Sequence, residues 1–349
     1  MSASSHLKAN GPRVSYRRRR SWLGVDESFA VGDVLANKYC IEGVLGEGSM
    51  GKVFVAIDLA LGRRAAIKVP LIAEEMQAEL DRRLLIEARA AARLVGQHVA
   101  RVLDIGKLRS GAPFVVFELL DGENLETVLA RKKHVPIVDV VDYTLQSCIG
   151  LAEAHGQGIV HRDIKPENLF LARSLDGTIM LKVLDFGASA FLDGLAVPGG
   201  KEQVIGTPLY LAPERIKKPR LRDPRSDIWA LGAVMYELIT GKPAFEADTV
   251  PEICDLVVNH PAPLLSHAMR GAPPALERVI DRCLHKAPGR RFSDVGALAM
   301  ALAPFGRAGA YDLATRCRRV LVHASELRES SIPPPRPKLP SEPLLLTRK

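Results

Sequence analysis

The sequence predicts an α+β chain in two unequal parts, strand-rich to about residue 120 and helix-rich beyond it. Before that point, short β-branched and aromatic runs alternate with glycine turns, as in Tyr39–Leu45, Val53–Ile57, Arg63–Val69 and Phe114–Leu120. Half-buried strands read this way. After it, proline-poor segments with apolar residues at helical spacing occupy roughly 124–133, 137–157, 227–239, 250–258, 274–285 and 293–303. Asp121-Gly122 lies between the two parts as a natural hinge.

Each element follows from local chemistry. Val99–Leu120 reads as two strands around the turn Arg109-Ser110-Gly111, and Asp176-Gly177 as a hairpin turn before the strand Met180–Leu184. The segment Leu71–Leu94 is rich in Ala, Leu, Glu and Arg and has no proline, which predicts a helix. Leu313–Leu327 is one more amphipathic helix, with Cys317, Val320, Leu321 and Ala324 on the face expected to pack on the core. The chain shows no internal repeat.

Composition narrows the class. The 349 residues carry a formal charge of +8, but the ends supply it. Residues 1–30 hold six basic and two acidic side chains, and 305–349 hold nine and four, which leaves the middle near neutral. The ends are expected to be solvated tails, with no nucleic-acid partner. Five scattered cysteines without a C-x-x-C pair fit reduced thiols in a cytoplasmic protein. No apolar run reaches a membrane span and no secretory leader is recognisable. The stretch Pro333–Pro340 is a polyproline II candidate, read as a spacer in preference to a ligand for a proline-binding partner.

The chemistry centres on His161-Arg162-Asp163-Ile164-Lys165-Pro166-Glu167-Asn168, a polar loop expected between two short strands, Gly158–Val160 and Leu169–Leu171. Asp163 is placed to accept a proton, Lys165 to steady negative charge, and Asn168 to hold a metal through its amide oxygen. Gly46, Gly48 and Gly51 form G-x-G-x-x-G-x-V between two strands, where glycine lets backbone N–H groups approach phosphate oxygens. A dinucleotide site would place a helix after the third glycine. Here a strand follows, which favours a hairpin lid. Lys68 is the one charge inside its strand. Glu87 opens the Ala-rich stretch 88–94 and is the acid expected to pair with it, with Glu79 and Glu75 as alternatives. Asp185, just after a buried strand and before Phe186-Gly187, is a second metal-ligand candidate.

In their order, these pieces resemble the protein kinase family, and within it the bacterial serine/threonine kinases of eukaryotic type, over residues 39–304. The resemblance implies a bilobal fold, with a small β-rich lobe carrying one helix and a larger, mainly helical lobe. It implies ATP and Mg²⁺ as cofactors and protein Ser/Thr hydroxyls as acceptors, with autophosphorylation. Leu45, Gly46, Gly48, Gly51, Val53 and Ala66 would cover the nucleotide. Lys68, oriented by Glu87, would grip its phosphates, and Glu118 and Leu120 would offer backbone groups to adenine behind Phe117. Asp163 and Lys165 would serve the transfer, and Asn168 and Asp185 the metal. Thr207 would bridge Asp163 and Lys165, and Glu214 would pair with Arg291. Residues 1–30 would be a basic extension, 305–330 a helical extension and 331–349 a Pro-rich tail. Between Gly187 and Gly206 only Ser189 offers a hydroxyl, so Arg162 lacks an obvious phosphate partner. The alternative is an ATP-binding scaffold without catalysis.

Overall fold

The computed structural model describes residues 29–48, 51–70, 85–186 and 208–330. The expected helix start at 71–84, Thr207, Gly187 and the Pro-rich tail lie outside them, as do Glu75 and Glu79.

The small lobe is a six-stranded antiparallel sheet in the order β1-β2-β3-β4-β6-β5. Its strands are β1 (Val34–Leu35), β2 (Tyr39–Gly48), β3 (Gly51–Asp58), β4 (Arg63–Pro70), β5 (Val102–Lys107) and β6 (Pro113–Glu118). Alternation along β3 and β4 turns Phe54, Ala56, Ala65 and Ile67 inward. Phe114 and Val116 of β6 complete a small core. Phe54, Ile67, Phe114 and Val116 each contribute about 1.5–3 kcal/mol by leaving water. Phe29, placed by sequence in the N-terminal extension, belongs to this lobe, since its ring packs edge-on against Phe54 at 6.0 Å. A helix, α1, is described over residues 85–91.

The large lobe is built on α3 (Ile137–Gly156) and α5 (Arg225–Thr240). Both are buried over most of their length, because their apolar residues cover more than one face. Trp229 of α5 is fully buried and stacks on Phe245 at 5.7 Å. The other helices are α2 (Leu125–Lys132), α4 (Pro213–Lys217), α6 (Val250–Asn259), α7 (Leu265–Ala268), α8 (Pro274–Cys283), α9 (Val295–Leu302) and α10 (Ala310–Ser330). Local signals set their ends: Asn124 caps α2, Thr249 and Glu252 form a capping box on α6, and Gly241 closes α5 with φ 78°. A second sheet, β7 (Gly122–Asn124), β8 (Leu169–Arg173) and β9 (Ile179–Val183), lies at the lobe boundary. The α10 helix buries Ala314, Cys317 and Ala324 against this lobe, the face read from the sequence. No helix among the described residues is long and apolar enough to cross a membrane.

One expected strand is absent. Gly158–Val160 forms none, because the N–H groups of Gly158 and Ile159 are taken by His155 and Ala154 carbonyls at the end of α3. Ile159 is apolar for packing, not for pairing.

Candidate active site

The site lies where the two lobes meet. From the small lobe, β2 and β3 pair antiparallel around residues 49–50, with Gly48 opposite Gly51. A bulge between Val44 and Gly46 bends this hairpin, and Leu45 is exposed on it. Gly51 has φ 146°, and a Cβ there would lie 2.3 Å from the Val69 carbonyl oxygen. Glycine is therefore required where β3 begins against the end of β4. Val53 stands opposite Lys68, and Ala66 opposite both Val55 and Phe117, so these residues share one end of the sheet.

From the large lobe comes the loop between α3 and β8. Asp227, buried at the start of α5, accepts the backbone N–H of His161 (2.9 Å) and of Arg162 (2.8 Å). Its Oδ2 also meets His155 Nε2 at 2.8 Å. Burial opposes the Asp227 charge, but His155 and these donors outweigh it and hold the carboxyl below its usual range. Asp227 thus clamps the loop, with Arg162 held at φ 65°. His161 accepts the Asp163 N–H on Nδ1 (3.2 Å) and donates from Nε2 to the Leu184 carbonyl (2.7 Å), while its ring packs on Phe186. Leu184 in turn donates its N–H to the Asn168 carbonyl. The two polar stretches are thereby stitched together.

Within this frame Lys165 Nζ is 3.2 Å from Asp163 Oδ2. Asn168 Nδ2 donates to the Asp163 carbonyl (2.7 Å) and carboxylate (3.0 Å), which leaves its amide oxygen for another partner. Burial works against the Lys165 charge, but Asp163 and Glu167 overcome it and raise its pKa. Lys68 Nζ pairs with Asp185 Oδ2 at 2.9 Å. Burial raises the Asp185 pKa, yet Lys68, with His161 and Lys165, more than offsets this and keeps the carboxylate ionised. A carboxylate and a free amide oxygen are hard ligands, suited to magnesium, which takes one or two protein oxygens beside phosphates and water.

Two expectations about ion pairs had different outcomes. Glu214 and Arg291 are paired as expected, by two contacts of 2.7 Å. The expected Lys68–Glu87 pair is not formed. Glu87 lies 3.1 Å from Arg162 Nη2 and 3.4 Å from Arg222 Nη2, while Lys68 is engaged by Asp185. Two guanidinium groups of the large lobe hold the carboxylate, and this answers where Arg162 finds an anion. Glu118 uses its side chain on Lys182 (2.7 Å) and its N–H on the Arg101 carbonyl, and Leu120 follows β6 in the hinge. Asp227, His155 and Arg222 were not singled out from the sequence. An acidic residue opening an otherwise buried helix was the available signal for Asp227.

The chain belongs to the protein kinase family: the protein kinase domain matches residues 39–303. Among its curated relatives are bacterial serine/threonine-protein kinases. It is 36% identical over 269 residues to serine/threonine-protein kinase pkn3 of Myxococcus xanthus, a match covering 75% of this chain and 48% of that protein. It is 36% identical over 221 residues to probable serine/threonine-protein kinase PknB of Corynebacterium glutamicum, covering 62% and 33%. The chain thus spans about half or less of the length of these relatives. The PknI kinase domain of Mycobacterium tuberculosis shares its fold, with a TM-score of 0.62 and 26% identity over 79% of this chain and 98% of that one.

Proposed function

We propose that the chain transfers the γ-phosphoryl group of ATP to serine or threonine hydroxyls of proteins, its own included, in the cytoplasm. The observation that carries this is the convergence of Lys68, Asp163, Lys165, Asn168 and Asp185 at the lobe boundary within three polar contacts of 2.9–3.2 Å. Phosphoryl transfer needs alignment and electrostatics more than covalent chemistry, and that is what these residues supply.

Asp163, fixed by the Asn168 amide and the Lys165 ammonium, accepts the acceptor hydroxyl's proton. Lys165 sits beside it to offset charge on the transferred group. Lys68 grips the nucleotide's phosphates, leaving Asp185 to the metal with Asn168. Bound magnesium supplies charge neutralisation for the phosphates. The glycine hairpin excludes water, with Leu45, Val53, Ala66 and the hinge backbone of Glu118 and Leu120 around the base. Lys165 between Asp163 and Asn168 supports a Ser/Thr acceptor. Relatives named as serine/threonine kinases support the same reading.

Incubation with labelled Mg-ATP and a generic protein acceptor, beside a thermal-shift titration, tests this. Transfer that disappears in Asp163→Asn is expected. Binding of Mg-ATP without transfer would sink the catalytic reading in favour of a scaffold.

A further inference from the structure

We infer that Arg328, on the helix α10 beyond the matched kinase domain, is a positioning residue for the catalytic loop His161–Asn168. The inference rests on the phosphotransfer reading above and adds to it a residue that no motif contains.

The helix runs parallel to α3 and in step with it. Before it begins, Arg307 bonds Asp139 and Asp142 in the first turns of α3. At mid-length Cys317 Sγ donates to the Cys148 carbonyl at 3.3 Å. Near the end Ala324 faces Gly156 so closely that a Cβ there would lie 2.5 Å from the Ala324 Cβ and 2.9 Å from the Leu321 carbonyl oxygen. The two backbones are in contact at the last turn of α3.

Gly158 comes next, at φ 76°, where the chain leaves α3 and heads for His161. A Cβ on Gly158 would lie 2.7 Å from the guanidinium carbon of Arg328, so this side chain occupies the space that a side chain on the turn would take. A cation at that place also faces the negative end of the α3 dipole. The same turn carries His155, whose ring meets Asp227, and Asp227 holds the N–H groups of His161 and Arg162. A displaced turn therefore moves Asp163 through two routes, the covalent one and the Asp227 clamp. Packing alone does not account for Arg328. Among the described residues the buried stripe ends at Ala324, and Arg328 is exposed, so it adds little burial while touching the turn that leads into the site.

The test compares the full-length protein with Arg328→Ala, Arg328→Glu and Arg328→Lys, using Mg-ATP with myelin basic protein as acceptor. Arg328 is exposed, so the variants should fold, and thermal midpoints within about 2 °C are expected. Arg328→Ala should lower kcat about threefold to tenfold with KM for ATP within twofold, because small misplacements of catalytic groups are costly. Arg328→Glu should lower kcat further, and Arg328→Lys should restore most of it. If Arg328→Ala and Arg328→Glu keep the kcat of the unaltered protein, or move only the thermal midpoint, the positioning role is wrong while the kinase reading stands. If the unaltered protein transfers no phosphate, both fall.

Discussion

Replacing Glu214 with alanine is expected to destabilise the large lobe by about 3–5 kcal/mol, because it strands a buried guanidinium. The Arg291 side chain has no exposure, and that of Glu214 has 11%. Arg291 donates to both Glu214 oxygens at 2.7 Å, to the Arg225 carbonyl at 2.8 Å and to the His285 carbonyl at 2.8 Å. Ser226 Oγ adds a bond of 2.8 Å to Glu214. Glu214→Ala removes the carboxylate bonded directly to Arg291 and leaves the carbonyls to solvate most of a positive charge. Against a typical net stability of about 5–15 kcal/mol, that is a large fraction, and it corresponds to a fall in melting midpoint of roughly 6–12 °C. Denaturant unfolding of the unaltered protein, Glu214→Ala, Arg291→Met and the double variant measures it. The double variant should lose much less than the two single losses summed, because it leaves no orphaned charge. A loss below about 1 kcal/mol in Glu214→Ala, or strict additivity, would refute the reasoning.

Lys68→Met and Asp163→Asn should each lower transfer by at least about 10²-fold with the circular dichroism of a folded protein; near-normal autophosphorylation in either would displace that residue from the centre. Arg222→Ala should raise basal transfer about twofold to fivefold, since it removes a half-exposed competitor worth at most about 1 kcal/mol for Glu87; initial rates that stay level or fall would show that Glu87 is not restrained there. His98 is buried, and desolvation, helped by Arg316 and Lys182, lowers its pKa from 6.5 to about 4 despite a bond to the Leu181 carbonyl. Between those values the unfolded chain binds the proton and the folded one does not, so stability is full above pH 6.5 and falls as pH drops towards 4. The loss is on the order of 3 kcal/mol, and melting from pH 7.5 to 4.5 should be flatter in His98→Gln than in the unaltered protein.

Much of the site was legible because its residues come in short strings whose spacing is itself the chemistry. Asp163, Lys165 and Asn168 lie within one loop, so their contacts with one another follow from nearness along the chain. The glycine hairpin was legible from a strand following Gly51 where a helix would otherwise stand. Glu87 was expected to pair with Lys68 but lies on Arg162 and Arg222, and that partner was not readable from the sequence. Lys68, Arg162 and Arg222 all compete for it, and distance across the lobes decides. Asp227 was missed because it works on backbone N–H groups far away in sequence, which carry no residue signature. The strand expected at Gly158–Val160 failed for a related reason: its donors were already claimed by the end of α3.

By itself the sequence determined most of the order of strands and helices, the hinge at Asp121-Gly122 and the identity of the polar groups that gather at the lobe boundary. Those depend on local propensity and on side-chain chemistry, which neighbours along the chain dictate. Tertiary structure alone decided which charges neutralise which, that Asp185 holds Lys68 while two arginines hold Glu87, and that α10 presses on the turn feeding the catalytic loop. Such choices depend on distances between segments that the fold brings together, and for ion pairs a few ångströms in a dry interior outweigh any preference written along the chain.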